Sequence, residues 1–280
     1  MRVLAMLDGT LVDAETPLIR VDDLGITRGD GVFETILVVD GKPRELGPHL
    51  DRLARSAAML QLPVPDRQQW ERCIQVVLDN WTTNAEMALK LVYTRGPEFG
   101  DGTPTGWAMG MPIGEKVLRA RETGVAAVTL ARGYDPSIVP EAPWLLLGAK
   151  SLSYAVNMAA IRHAESVGAS EVIFTAADGS VLEGPTSTVV AVSGRTLRTT
   201  PPSSGILKGT TQGALFHAAE QAGWVTKVEP IALPELLETD ALFLASSVRK
   251  ITRVHTLDGV ALPDVTELHQ ELNALYESEY

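Results

Sequence analysis

Trp144-Leu-Leu-Leu-Gly-Ala-Lys150-Ser-Leu-Ser-Tyr154 is an apolar run that ends on a lysine and leads into a helical pattern over 151–167. A lysine at the end of an apolar strand is costly to bury, because its ammonium loses hydration. The same desolvation favours the neutral amine, which is the form Schiff-base chemistry needs. Taken alone, Lys150 is better read as a side chain emerging into solvent at a strand end. What changes that reading is its company along the chain.

Downstream, Asp178-Gly179-Ser180 is a hairpin turn, and Val181-Leu182-Glu183-Gly184 returns from it. Glu183 lies between apolar strand residues and a Gly-Pro turn, where it pairs with a buried cation or is simply an exposed turn acid. Ser203-Ser204-Gly205-Ile206-Leu207-Lys208-Gly209-Thr210-Thr211 then runs straight into a helix. Backbone N–H groups at a helix start, with hydroxyls beside them, make an anion site, although threonine is also an ordinary N-cap. Ser246-Ser247, after a buried strand at 241–245, offers a second hydroxyl edge. Upstream, Arg52 projects from a helix over 49–61 beside the apolar face of Leu50, Leu53, Ala57 and Leu60; a lone arginine there reads first as a surface residue.

Around these points the chain alternates strands and helices. Strands are expected at 3–7, 10–12, Gly31–Val39, 88–94 and 107–111, with Asp40-Gly41 as a hairpin turn. A second helix fits 66–81, entered through Pro63 and Pro65. The segment 112–123, charged and flanked by Pro112 and Gly124, reads as a domain junction. Beyond it come strands at 125–130, Glu171–Thr175, Thr188–Ser193 and Val225–Val228, with helices at 151–167 and 210–222. The expectation is an α/β chain of two lobes, a small N-terminal domain over 1–117 and a larger domain over 118–280 carrying Lys150, with a cleft between lobes as the default site.

The 280 residues are 45% hydrophobic and 21% charged, an ordinary globular balance, and the formal charge is −11. That acidity argues against nucleic acid or anionic membrane as a non-specific partner. The single cysteine, Cys73, excludes an intrachain disulfide and a thiolate metal cluster, and no metal site is expected. Trp70, Ile74 and Val77 at helical spacing around it point to a buried, inert thiol. The N-terminus shows no apolar run suited to a signal peptide, and no stretch approaches the ~20 apolar residues of a membrane span. A soluble cytoplasmic protein is the expectation.

Taken in order, these segments resemble the class IV family of pyridoxal-phosphate enzymes: branched-chain aminotransferases, D-amino-acid aminotransferases and aminodeoxychorismate lyases. The likeness starts at Arg28-Gly-Asp30-Gly31-Val-Phe33-Glu34-Thr35. It continues through His49-Leu-Asp-Arg52-Leu, Lys150-Ser-Leu-Ser-Tyr154, Glu183-Gly184 and Gly205-Ile-Leu-Lys-Gly209-Thr210-Thr211, and ends at Ser246-Ser247 with Ile251-Thr252. Each motif is weak alone; their order over nearly the whole chain is specific. The resemblance implies fold type IV, the two-lobed branched-chain-aminotransferase-like (D-amino-acid-aminotransferase-like) fold, and pyridoxal 5'-phosphate as cofactor. It makes Lys150 the Schiff-base lysine and Glu183 the carboxylate on the pyridine nitrogen. Arg52 with Gly209, Thr210, Thr211, Ser246 and Ser247 becomes the phosphate site, and Tyr154 a contact to the cofactor's phenolic oxygen. Phe33, Tyr93 and Arg95 are the implied substrate contacts. Ser153 and Thr188 stand where many relatives have asparagine, and Pro185 interrupts a run that is commonly serine or threonine.

Within the family, D-amino-acid aminotransferases typically carry an Arg-x-His pair after a Thr-Arg-Gly strand end. Here Thr94-Arg95-Gly96 is present but Pro97-Glu98-Phe99-Gly100-Asp101-Gly102 supplies neither residue, and Phe33 stands where those enzymes tend to have tyrosine. The Arg-Pro motif usual in branched-chain enzymes is absent. The chain is most similar to aminodeoxychorismate lyase, which implies release of pyruvate from 4-amino-4-deoxychorismate to leave 4-aminobenzoate. A D-amino-acid or branched-chain transaminase, alone or combined with the lyase, is the alternative. Relatives build their sites near a subunit interface, so a homodimer acting on a small amine or amino-acid-like substrate is expected. A non-catalytic protein holding a phosphate ligand at residues 205–211 is the distant alternative; it would need neither Lys150 nor Glu183.

Overall fold

Successive side chains of an extended strand point to opposite faces. Along Gly31–Val39 this puts Val32, Glu34, Ile36 and Val38 on one face and Phe33, Thr35 and Leu37 on the other. The computed structural model describes Met1–Tyr280. It divides into two compact units: Met1–Gly114 with Ala149–Tyr154, and Glu115–Gly148 with Ala155–Tyr280.

In the first unit, strands β1 (Val3–Met6), β2 (Leu11–Val12), β3 (Gly31–Val39), β4 (Lys42–Pro43), β5 (Met87–Thr94) and β6 (Thr105–Pro112) form one antiparallel sheet. Its order is β2-β1-β6-β5-β3-β4. The central register is unbroken: Phe33 lies opposite Val92, which lies opposite Trp107. Helix α1 (Leu24–Thr27) is a single turn, followed by α2 (Leu46–Met59) and α3 (Arg67–Asp79). Asp66 caps α3, its carboxylate accepting the N–H groups of Gln68 and Gln69 at 2.8 and 3.3 Å. Leu50, Leu53 and Ala57 of α2 and Trp70, Cys73, Ile74 and Val77 of α3 are the buried stripes. Burying each large member of these stripes contributes roughly 1.5–3 kcal/mol. Glu34 reaches α2, and Tyr93, on the same face by register, packs its ring edge-on against Trp70 at 6.2 Å. Both helices therefore cover the Glu34 face. The opposite face, with Phe33, Thr35, Lys90, Trp107 and Met109, is turned away from α2 and α3; only the single turn α1 meets it, at its Thr94 end. Burial pushes the Cys73 thiol up to about 12, so it is unreactive at neutral pH, as its neighbours suggested.

The second unit holds α4 (Glu115–Thr123), β7 (Val125–Ala131), α5 (Ala155–Ser166), β8 (Glu171–Thr175), β9 (Thr188–Ser193), β10 (Thr196–Thr199) and α6 (Thr210–Gln221). It continues with β11 (Val225–Val228), α7 (Glu235–Glu238), β12 (Ala241–Ser246), β13 (Lys250–Leu257), β14 (Val260–Ala261) and α8 (Thr266–Glu277). The sheet runs β11-β10-β9-β12-β13-β7-β8, with β14 paired to β13. It is mixed: β10/β11, β13/β7 and β7/β8 are parallel. β9 and β12 are buried on both faces. Val190, Val192, Phe243 and Ala245 pack with Leu215, Phe216, Leu272 and Tyr276, while Val189, Ala191, Leu242 and Leu244 pack with Ile231 and Leu236. A strand covered on both sides reads as a continuous apolar run, which is why 241–245 was legible.

Three differences from the sequence reading matter. The expected junction at 112–123 contains α4, so the first unit ends at Gly114 and not at 117. Lys150 belongs to the first unit, not to the C-terminal one, and α5 begins only at Ala155. Finally, β13 is a strand beyond those expected: its apolar residues Ile251, Val254 and Leu257 recur every third position, not every second. No helix is long and apolar enough to cross a membrane.

Candidate active site

Lys150 is held by its backbone. Its N–H donates to Ser56 Oγ on α2 at 3.1 Å, and its carbonyl accepts the Phe33 N–H at 3.1 Å. Two residues on, the Leu152 N–H donates to the Gly31 carbonyl at 2.8 Å, and Ser151 bridges Val32. Residues 150–152 thus pair laterally with the start of β3. Gly31 allows this close approach, since a Cβ there would lie 2.8 Å from the Tyr93 carbonyl oxygen and crowd Leu152. The run before the lysine is not a strand, contrary to the sequence reading. Pro143–Leu145 is one 3-10 turn with Trp144 74% exposed, and Leu146 and Gly148 take left-handed backbone with φ of 54° and 82°.

Pairing with β3 puts the Lys150 amine against a side chain of β3. Its Nζ lies 4.5 Å from the centroid of the Phe33 ring, and the Tyr154 ring meets Phe33 edge-on at 5.2 Å and 87°. Phe33, Lys150 and Tyr154 are therefore brought together. A residue that the sequence reading did not place in the site joins them: Lys90 of β5, with Nζ 5.5 Å from the same ring centroid.

Arg52 is no surface residue. Its side chain is 8% exposed, and its Nε and Nη2 donate to the two carboxylate oxygens of Glu34, each at 2.7 Å. His49 Nδ1 lies 2.8 Å from Glu34 Oε2. Burial alone would raise the Glu34 carboxyl; the Arg52 charge and hydrogen bonds, with His49, outweigh it and bring it down to about 2. Ser56, which holds the Lys150 N–H, lies one helical turn beyond Arg52, so lysine backbone and guanidinium sit at successive turns of α2.

Two expected substrate contacts are placed elsewhere. Tyr93 is buried on the helix-covered face against Trp70, and that burial raises its phenol pKa. Phe33 points the other way. Arg95 clips the loops: Nε and Nη2 hold Asp30 at 2.6 and 3.1 Å, Nη2 also reaches the Leu60 carbonyl at 2.7 Å, and Nη1 the Gln61 carbonyl at 3.3 Å. Its donors are committed to Asp30 and to the carbonyls just past α2.

In the second unit, Glu183 is half-buried and pairs by its backbone with Phe174 of β8, its carbonyl accepting that N–H at 2.9 Å. Its Oε2 accepts the Leu207 N–H at 3.1 Å, tying the acid to the loop that enters α6. Tyr134, unremarkable in the sequence, donates from its phenol to the Ser204 carbonyl at 3.0 Å. Burial and then the Glu183 charge push that phenol up to about 12. At the start of α6, Gly209 is the N-cap and provides no side-chain cap; a Cβ there would collide with Thr188 Oγ1. Thr211 follows, 2% exposed, its Oγ1 buried without a hydrogen-bond partner. Ser246 ends β12 and accepts Arg249 Nε at 3.4 Å, with Ser247 next in the turn. Arg249 also pairs with Glu171 and donates to Thr186 Oγ1 at 3.0 Å, while Asn157 Nδ2 holds the Pro185 carbonyl at 2.8 Å. These second-unit supports carry no motif, so spacing could not reveal them.

The sequence matches the family "Amino-transferase class IV" over residues 31–257. The chain belongs to the class IV aminotransferases. It is 44% identical over 277 residues, 95% of this chain and 96% of the other, to the "Bifunctional aminodeoxychorismate lyase / D-amino acid transaminase" of Mycobacterium tuberculosis. Among solved structures, a hypothetical aminotransferase from Mycobacterium tuberculosis in its PLP-bound form superposes with TM-score 0.96 and 43% identity, covering 100% of both chains. The fold IV transaminase CpuTA1 from Curtobacterium pusillum gives 0.94 and 42%, covering 99% of this chain and 98% of that one. This class IV chain thus has the fold type IV architecture and is an enzyme of the lyase-or-transaminase kind.

Proposed function

We propose that this class IV enzyme works with pyridoxal 5'-phosphate as a 4-amino-4-deoxychorismate lyase, releasing pyruvate and 4-aminobenzoate, and also transaminates D-amino acids. Lys150 carries the reading, with its backbone clamped to β3 and α2 and its amine against Phe33. The pairing of the two activities is supported by likeness, over nearly the whole chain, to a protein described as having both.

The donor set suits this cofactor. The partnerless Thr211 hydroxyl and the uncapped first turn of α6 are groups that a phosphate satisfies. Glu183 is a half-buried carboxylate suited to a protonated ring nitrogen. Bound pyridoxal phosphate supplies an aldehyde carbon that captures amines and a ring that draws electrons from the neighbouring carbon. Lys150 Nζ would hold the cofactor and would act as the base at the amine-bearing carbon of the substrate. In the lyase direction the same Nζ returns the proton to the departing pyruvate. Glu183 holds the proton at the ring nitrogen. The phosphate would be held by Arg52 of the first unit and by Gly209, Thr210, Thr211, Ser246 and Ser247 of the second. Tyr154 contacts the phenolic oxygen. Lyase and transaminase share the first proton transfer, so one lysine serves both.

The test is incubation with 4-amino-4-deoxychorismate beside a panel of D- and L-amino acids with keto-acid acceptors. Pyruvate with 4-aminobenzoate, and new D-amino acids, are expected; turnover of L-branched-chain substrates alone would overturn the reading. We also propose a homodimer. A fully active monomer by sedimentation at micromolar concentration would refute it.

A further inference from the structure

The substrates of both reactions carry carboxylates, and the first unit contains a cation placed to receive one. Lys90 stands opposite Thr35 on β3 and Met109 on β6, neither of which carries charge. The acids nearest in the sheet are engaged elsewhere. Glu34 points to the other face and is held by Arg52 and His49, Asp30 is held by Arg95, and Asp23 accepts from Thr94 and Thr105. Lys90 makes neither an ion pair nor a hydrogen bond within the chain. Its amine rests on the Phe33 ring that also faces Lys150. Burial lowers its pKa, the mark of an ammonium short of solvent and of a counter-charge. A ring face compensates a desolvated cation only in part; a carboxylate would complete it.

We propose that Lys90 binds a carboxylate of the substrate while Lys150 works at the amine-bearing carbon. The proposal rests on Lys150 being the cofactor lysine. It also replaces Arg95, whose donors are spent on Asp30 and the carbonyls just past α2. The arrangement is economical in space: one aromatic ring on β3 sets both amines on the face turned away from α2 and α3, within reach of one small molecule.

Lys90→Met keeps the stem and removes the charge, and Lys90→Arg keeps the charge. With cofactor-loaded protein, binding of the unreactive carboxylates propionate and succinate is measured by calorimetry, beside KM and kcat for amino-acid and keto-acid substrates. Borohydride reduction and mass spectrometry report the pyridoxyl group on Lys150. The expected result for Lys90→Met is carboxylate binding weaker by roughly ten- to a hundredfold, as for one charge-assisted contact, with KM raised to match. Pyridoxyl labelling of Lys150 stays stoichiometric, and Lys90→Arg restores most of the binding. Should Lys90→Met fail to fold, Lys90→Gln carries the same expectation. Wild-type carboxylate affinity and KM in a labelled Lys90→Met or Lys90→Gln protein would overturn the inference alone. A wild-type protein that takes no pyridoxyl label at Lys150 would overturn the reading on which it rests.

Discussion

Glu34→Gln removes one charge from a site where no other group can replace it. The carboxylate is fully buried and bound by both Arg52 contacts and by His49. Its pKa falls from 4.5 to about 2 on folding, so at neutral pH the ionised form contributes about 3 kcal/mol. Leaving the buried guanidinium without its anion costs on the order of 3–5 kcal/mol by general experience with buried pairs, so two routes give the same scale. Because the folded pKa is the lower one, the contribution is complete above about 4.5 and disappears as pH falls through about 2. Urea unfolding of both proteins, followed by tryptophan fluorescence (Trp70 lies in the same unit), should show a variant about 3 kcal/mol less stable at neutral pH. That gap should close steadily below pH 4.5. The variant should also bind pyridoxal phosphate more weakly, because Arg52 loses the partner that orients it. A difference under ~0.5 kcal/mol at neutral pH, or one that widens in acid, would refute the reasoning.

Lys150→Ala should abolish both cofactor attachment and turnover, and a pyridoxyl label found on Lys208 or Lys90 would move the site. Glu183→Gln should still bind cofactor but lose two or more decades in kcat and kcat/KM together, about 3 kcal/mol of transition-state stabilisation. Near-normal turnover in the loaded protein would return Glu183 to a turn acid. Thr211→Val replaces a buried hydroxyl that has no partner, so the cofactor-free protein should be as stable as wild type or more so. Cofactor affinity should nonetheless fall by roughly 1 kcal/mol, measured by equilibrium dialysis; unchanged affinity would exclude the hydroxyl from the phosphate site.

Local chemistry made much of this protein legible in its sequence. Alternation marks β3, the apolar stripes of α2 and α3 appear at helical spacing, and glycine and threonines announce the start of α6. Those signals depend on neighbours within a few residues, so they survive without knowledge of the fold. The ordered motifs likewise named Lys150, Glu183 and Arg52 as a set. What the sequence could not decide is which face and which partner each side chain meets. Lys150 looked like a strand end; it is an extended segment bonded to the edge of β3 and to Ser56, residues far away in the chain. Arg95 and Tyr93 sit beside the right motif, yet one clips Asp30 and the other faces Trp70. Lys90 carries no motif, and only the pairing of β5 with β3 puts it on the Phe33 ring. Strand register fixes the face of every side chain at once, and a shift of one residue would reverse them all. That choice belongs to long-range pairing and burial, and so to the tertiary structure.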